Sequence, residues 1–106
     1  MIKSGTIRLP FDDTMTGLHG TWDLEAGTGP RSYVSPDIPF DPPLPRFGSP
    51  PHVVVSLTGF EATAGPPSIE LFVETVQAEE FNIHVRVSGN CTLSWVWVTW
   101  VANDNL

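Results

Sequence analysis

Two adjoining segments near the carboxyl end of the chain carry the strongest strand pattern in the sequence. In residues 81–87 apolar and polar side chains alternate strictly, which predicts a strand with one buried face. In residues 93–102 both faces are apolar. One face holds Leu93, Trp95, Trp97 and Val101, and the other holds Val96, Val98, Trp100 and Ala102. Because a strand that is apolar on both faces must be covered on both, we expect a second sheet of the same chain on one side and another subunit on the other.

Weaker strand patterns precede these two segments. They predict strands over residues 2–9, 38–40, 52–60 and 68–76. We expect Thr58–Gly59 to form a bulge in the strand over residues 52–60 or to end it. Seven prolines in residues 36–51 exclude a helix or a central strand there. Residues 10–36 follow no clear period, although a helical turn would fit within residues 15–24. Five or six antiparallel strands joined by polar turns predict an all-β sandwich, formed as a single domain over residues 1–106.

Composition narrows the range of partners. The net charge is −7, and the five cationic side chains are scattered along the chain. They form no stripe that could follow a phosphate backbone, so we expect no nucleic acid and no anionic membrane surface as partner. Cys91 is the only cysteine, which excludes an internal disulfide and favours a free thiol. No membrane span and no export signal is expected in these residues.

The polar residues predict no catalytic or metal site. The three histidines are far apart and share no ligand spacing. Asp12 and Asp13, with Asp23 or Glu25, could begin a calcium loop, but they lack the spacing of such loops. Glu70 and Glu74 share one strand face, where a solubilising surface is the simpler interpretation than a pair of glycosidase carboxylates. We therefore predict neither an enzyme nor a metal or other cofactor.

The tryptophans point more strongly to binding surfaces. Aromatic rings bind the apolar faces of sugars, and they also dominate subunit interfaces. We predict that Trp100 lies in the core. For Trp95 and Trp97 an intersubunit interface is favoured first, the core second and a ligand third.

Several short motifs in order along the chain resemble the H-type lectin family, which includes snail agglutinins and the discoidin C-terminal domain. The motifs are Ser4-Gly5-Thr6-Ile7, Ile38-Pro39-Phe40, the Pro-Pro-His-Val-Val-Val-Ser-Leu-Thr of residues 50–58, the Val-Gln-Ala-Glu-Glu-Phe of residues 76–81 and Val98-Thr99-Trp100-Val101-Ala102. The resemblance covers most of the chain except residues 10–36. It implies a six-stranded antiparallel β-sandwich that forms a homotrimer, or a hexamer from two trimers.

The resemblance also implies shallow sites for galactose-type sugars, notably N-acetylgalactosamine, between protomers and without a cofactor. Three departures argue against that particular ligand. Ser68 stands where snail members have a sugar-binding arginine, Ser88–Gly89 where they have a Trp-His pair, and Ser94 where they have a tyrosine.

The resemblance places residues 88–90 of one protomer beside the 23–33 loop or the Ser68 region of a neighbour, and a site in this chain would combine them. Its predicted carbohydrate-binding residues are Asp23, Arg31, Tyr33, Ser68, Ser88 and Asn90. Asp23 would accept from hydroxyls, Arg31 would donate, Asn90 would do both and Tyr33 would stack on a sugar ring. The small residues at Ser88 and Gly89 widen the groove, which favours a larger or acidic glycan. The alternative is that all of these are ordinary turn residues.

Two functions follow. The first is an oligomeric, lectin-like adhesion module, extracellular or particle-associated, that binds cell-surface glycans through multivalency. The second is a trimeric structural or assembly domain of a bacterial or phage-like particle that has lost sugar binding.

Overall fold

The computed structural model describes residues 1–11, 16–64 and 68–105, and these residues form nine strands and no helix. The strands are β1 (Ile2–Leu9), β2 (Thr16–Gly17), β3 (Gly20–Thr21), β4 (Arg31–Val34), β5 (Ile38–Pro39), β6 (His52–Ala64), β7 (Ile69–Val76), β8 (Glu80–Val87) and β9 (Thr92–Asn103). No helix that could cross a bilayer occurs in these three ranges.

The strands form two antiparallel sheets and one small hairpin. The front sheet has the order β1–β9–β6. In the back sheet β8 is central, with β7 along one edge and β4 and β5 one after the other along the opposite edge. Because β4 and β5 share one edge, the two sheets offer six strand positions. The hairpin consists of β2 and β3. The predicted antiparallel β-sandwich is therefore confirmed.

The core lies between the inner faces of β8 and β9. The alternation in β8 buries Phe81 and the three aliphatic residues that follow it at every second position, as the sequence predicted. Trp100 of β9 is 3 % exposed, and its ring centroid lies 5.4 Å from that of Phe81 and 5.6 Å from that of Phe40. The prediction that Trp100 belongs to the core is confirmed.

Leu93 corrects the predicted faces of β9. The sequence pattern placed Leu93 on the outer face with Trp95, but Leu93 is fully buried. Glu61 of β6 pairs with Trp95, whereas the next residue, Ala62, pairs with Leu93, so Ser94 is an extra residue in β9. Such a bulge reverses the side on which the residues before it point. Leu93 therefore faces the core.

β6 also differs from its prediction. It continues to Ala64, four residues beyond the predicted end at residue 60. Its pairing with β9 shifts between Leu57 and Gly59, which confirms the bulge predicted at Thr58–Gly59. The bulge lets the strand continue instead of ending it.

The segment that lacked a clear period, residues 10–36, contains β2, β3 and β4. The helical turn allowed for residues 15–24 is not formed by its described part, which holds the β2–β3 hairpin instead. Asp12 and Asp13, the suggested start of a calcium loop, lie outside the described residues. Within the part of the chain that the structure describes, no three His, Cys, Asp or Glu side chains converge as metal ligands.

Candidate functional site

Three segments meet at the end of the sandwich where β8 passes into β9, and we call them the loop cluster: residues 23–31, Ser68 and residues 88–91. The amide of Gly29 donates to the carbonyl of Gly89 at 2.9 Å. Both glycines have positive φ angles, 77° and 65°, and residues other than glycine seldom adopt such a backbone conformation. The two turns therefore depend on glycine, and a backbone hydrogen bond joins them.

Arg31 holds the loop cluster together from within. Its Nη1 donates to the carbonyl of Ala26 at 2.6 Å, and its Nη2 donates to the carbonyl of Cys91. Its Nε is buried and has no hydrogen-bond partner among the described residues. Arg31 thus ties the loop before β4 to the turn before β9, with one hydrogen bond from each Nη group. The sequence predicted Arg31 as a donor to the ligand, whereas its contacts within the chain are those of a positioning residue.

Ser68 and Ser88 lie side by side on the outer face of the back sheet. Their Oγ atoms are 2.6 Å apart. A hydroxyl has one donor and two acceptor positions, so this pair can still bond a ligand after bonding within itself. The next cross-strand pair on the same face is Glu70 and Arg86, joined at 2.7 Å.

Asp23 and Asn90 are two open polar groups of the loop cluster. Both residues are exposed. Neither side chain forms a hydrogen bond with the residues that the structure describes. A carboxylate and an amide are therefore available to hydroxyl groups of a ligand.

Tyr33 does not belong to this surface, and its predicted stacking role is wrong. It is 1 % exposed and packs edge to face on Trp22, with ring centroids 5.1 Å apart. The reason lies in the register, because Tyr33 pairs with Val85, which faces the core. Trp22 in turn donates from Nε1 to the carbonyl of Leu93 at 3.0 Å. The two rings form the apolar base under the loop cluster.

Burial raises the pKa of Tyr33 to about 12, which gives a testable pH dependence. In an unfolded chain the pKa of a tyrosine is near 10, which is about two units lower. Between these values the folded state keeps a proton that the unfolded state has lost, so stability falls as the pH rises from about 10 through 12. Tyr33→Phe should remove this contribution and keep the stability at neutral pH, because the hydroxyl has no partner among the described residues.

The chain has one tyrosine, so the ultraviolet absorbance of tyrosinate reports Tyr33 alone. We expect its ionisation well above the ordinary value in the folded protein. Ionisation near pH 10 while circular dichroism still shows the folded sheet would contradict the burial of this ring.

The remaining candidates also have defined places. Cys91 is a free thiol as predicted, and it is fully buried instead of lying open in its loop. Glu70 and Glu74 each pair with a side chain of β8, Arg86 at 2.7 Å and His84 at 3.0 Å. The two carboxylates thus serve in cross-strand pairs on the outer face of the back sheet.

The fold resembles two solved structures of discoidin II from Dictyostelium discoideum, with TM-scores of 0.75 and 0.74. Sequence identity is 21% in both, and the superpositions cover 96% of this chain but only 36% and 35% of the discoidin II chains. The chain therefore spans about a third of the length of discoidin II, and this likeness shows the fold. No curated protein matches the sequence.

The sequence itself decides the family. A profile of the H-type lectin domain matches residues 37–103, which is more than half of the chain. The chain belongs to the H-type lectin family. Within this H-type lectin domain, Ser68, Ser88 and Asn90 fall inside the matched residues, whereas Asp23 and Arg31 precede them. The loop cluster thus combines matched and unmatched parts of the sequence.

One chain of this H-type lectin domain assembles the loop cluster without a neighbour. The prediction placed residues 88–90 beside the 23–33 loop or the Ser68 region of another protomer. The contacts of Arg31, the Gly29–Gly89 hydrogen bond and the Ser68–Ser88 pair all form within one chain. These segments therefore already meet in a single protomer.

The outer face of the front sheet is the second surface that the sequence singled out. Trp97 is 40% exposed near the middle of this face, and Trp95 is half-buried beside it. The guanidinium of Arg8 lies 6.0 Å from the ring of Trp95. Val54 and Val101, both exposed, pair directly across β6 and β9. We call this surface the tryptophan face.

Proposed function

We propose that this H-type lectin domain is an oligomeric carbohydrate-binding module that recognises cell-surface glycans by multivalency. The observation that carries the proposal is the loop cluster. Arg31 and two glycine turns fix its backbone, while Asp23 and Asn90 keep their hydrogen-bonding groups open. Rigid loops with open polar groups suit a ligand rich in hydroxyls, because little order has to be gained on binding.

The glycan is proposed to differ from simple N-acetylgalactosamine. Small hydroxyl side chains, Ser68 and Ser88, stand where the resemblance would place larger sugar-binding groups, and they bond to one another. A wider groove with few fixed donors favours a larger or acidic glycan. Each site would be weak, and several sites on one oligomer would supply the affinity.

The oligomer is proposed to be a homotrimer, or a hexamer made of two trimers, assembled through the tryptophan face. The support is the exposed aromatic and aliphatic surface of Trp97, Val54 and Val101. Exposed apolar side chains gathered on one sheet face in this way are found at interaction sites of soluble proteins. We place the protein at an extracellular or particle surface, where multivalent adhesion operates.

One observation favours the alternative, a trimeric structural or assembly domain of a bacterial or phage-like particle without sugar binding. Arg31 has both Nη groups engaged, and Ser68 and Ser88 bond to each other. Fewer open groups remain than in a site made for one small sugar. The two functions differ in whether Asp23 and Asn90 have a ligand.

Variants of the loop cluster test the binding function. Asp23→Ala and Asn90→Ala should each lower the affinity for a monovalent form of the bound glycan by about tenfold, since one hydrogen bond to a ligand contributes roughly 1–2 kcal/mol. Asn105→Ala, an exposed amide in the tail, is the matched control and should bind like the wild type. Isothermal calorimetry measures the affinities. Equal affinity of all three variants would move the binding site away from the loop cluster.

A further inference from the structure

A second concavity lies at the end of the sandwich opposite to the loop cluster. Lys3 pairs with Ala102 near the end of β9, whereas the loop cluster adjoins the beginning of β9. The pocket has a volume of about 180 Å³. Its lining includes Lys3, the apolar side chains of Pro39, Pro43 and Ala78, and the charged pair Arg46 and Glu79. We call it the Lys3 pocket.

Lys3 is the unusual member of this lining. It is only 6 % exposed. Its Nζ donates to the carbonyl of Pro42 and lies 5.5 Å from the centre of the Phe47 ring. An ammonium group has three donors, and no carboxylate of the described residues forms an ion pair with Lys3. Burying a charge without an opposite charge is costly, so this ammonium is suited to an anionic group that enters the pocket.

The acidic side chains of the pocket have other partners. Glu79 forms an ion pair with Arg46 at 2.8 Å. The carboxyl of Glu80, which also lines the pocket, lies near the carboxyl of Asp37. Burial, followed by the nearby Asp37 and Glu79, raises the pKa of Glu80. Of the two cations in the lining, Arg46 has an ion-pair partner and Lys3 has none among the described residues.

We propose that the Lys3 pocket binds the carboxylate of an acidic sugar residue, a uronic acid, as a second glycan contact of the same domain. This inference rests on the proposed carbohydrate-binding function. The Lys3 ammonium donates to the carboxylate in a charge-assisted hydrogen bond. Glu79 at the rim accepts from the sugar hydroxyls, and Pro39 and Pro43 contact the apolar side of the ring. The volume is below the range of about 300–1,000 Å³ for drug-sized ligands, which suits a single sugar residue.

A matched pair of sugars tests this assignment. Methyl β-D-glucuronide and methyl β-D-glucoside differ only in a carboxylate against a hydroxymethyl group. In amide NMR titrations of the full chain, the glucuronide should shift the signals of Lys3, Phe40 and Ala78 in a saturable way. The glucoside should bind at least about tenfold more weakly, which is the worth of one charge-assisted bond. Equal shifts with both sugars would overturn the role of Lys3.

Acetate separates a carboxylate site from a sugar site. Binding of acetate as tight as that of the glucuronide would show that the pocket recognises a carboxylate alone, which overturns the sugar part of the proposal. Weaker binding of acetate supports it, because the ring then contributes contacts of its own.

Two variants locate the interaction. Lys3→Met keeps the length and the apolar stem but removes the charge, and it should lose glucuronide binding by about tenfold or more. Arg46→Gln changes an exposed rim residue and cannot disturb the core, so it tests the pocket even if Lys3→Met folds poorly. It also leaves the Glu79 carboxylate without its ion pair, and repulsion between that carboxylate and the glucuronide should weaken binding. Arg86→Met on the back sheet is the control for the change in net charge, and we expect this variant to bind the glucuronide with wild-type affinity. Undiminished glucuronide binding in both pocket variants would overturn the proposal.

The outcome is separable from that of the loop cluster. The titration is monitored on amides of the pocket itself, so it does not depend on glycan binding elsewhere. Glucuronide binding by a protein whose loop-cluster variants bind glycans normally would support the Lys3 pocket and contradict the loop cluster. Glycan binding at the loop cluster without any glucuronide shift would contradict the pocket alone.

Discussion

Replacing Trp100 with alanine is expected to lower the free energy of unfolding by about 3–5 kcal/mol. The indole fills the space between the two sheets, where it contacts Phe40 and Phe81. Gly5 of β1 lies against it so closely that a Cβ there would come within 2.8 Å of the ring. Gly5 has no side chain that could refill the volume of the ring, so a cavity should remain. A loss of this size is a large part of the roughly 5–15 kcal/mol that stabilises an ordinary domain.

Denaturant unfolding at one fixed protein concentration measures this effect, since the proposed assembly would also contribute to stability. Phe72→Ala is the control, because Phe72 is an aromatic residue of the back sheet that is 38% exposed. We expect it to cost clearly less than Trp100→Ala. Two equal losses, or a Trp100→Ala variant as stable as the wild type, would show that the core does not depend on this indole.

The double substitution Trp95→Asp and Trp97→Asp is expected to convert the proposed oligomer into monomers. Both side chains are on the outer face of β9, so the change leaves the core untouched. In an assembled oligomer each aspartate would be buried without a partner, which costs several kcal/mol. Light scattering at micromolar concentration gives the mass, and circular dichroism should show an intact sheet.

Phe72→Asp provides the matched control for the double substitution. It introduces a charge at an exposed aromatic residue of the opposite sheet, so the mass of the oligomer should not change. A wild-type protein that is already monomeric at micromolar concentration would contradict the interface. A double variant that keeps its oligomeric mass would place the interface on another surface.

The fold was predictable where hydrophobic alternation continues over a whole strand. β7 and β8 follow their patterns, whereas in β1 the apolar Ile2 is exposed and the charged Lys3 is buried. Leu93 could not be placed correctly, because the extra residue Ser94 reverses the alternation only through its pairing with β6. A bulge of this kind leaves no mark in the hydrophobic pattern of a strand that is apolar on both faces.

The candidate site was predictable only in part. The residues of the loop cluster were named correctly as neighbours, although their contacts form within one chain. Tyr33 was misplaced, because its burial is set by a distant partner, Val85, and not by residues beside it in the sequence. Lys3 gave no indication of its role either. A lysine between Ile2 and Ser4 in a strand suggests a solvated cation. The burial of Lys3 depends instead on Phe47 and the proline-rich segment, which fold over it.

The central claim is that this H-type lectin domain binds glycans, and a glycan array with the wild-type oligomer tests it most directly. Neutral and acidic glycans should be printed at several densities, because multivalent binding strengthens as sites are spaced closely. We predict reproducible, density-dependent binding to a group of glycans that share one determinant, and loss of that binding in the Asp23→Ala and Asn90→Ala double variant. An array without binding at every density, for a protein shown to be folded and oligomeric, would contradict the claim and favour the structural domain.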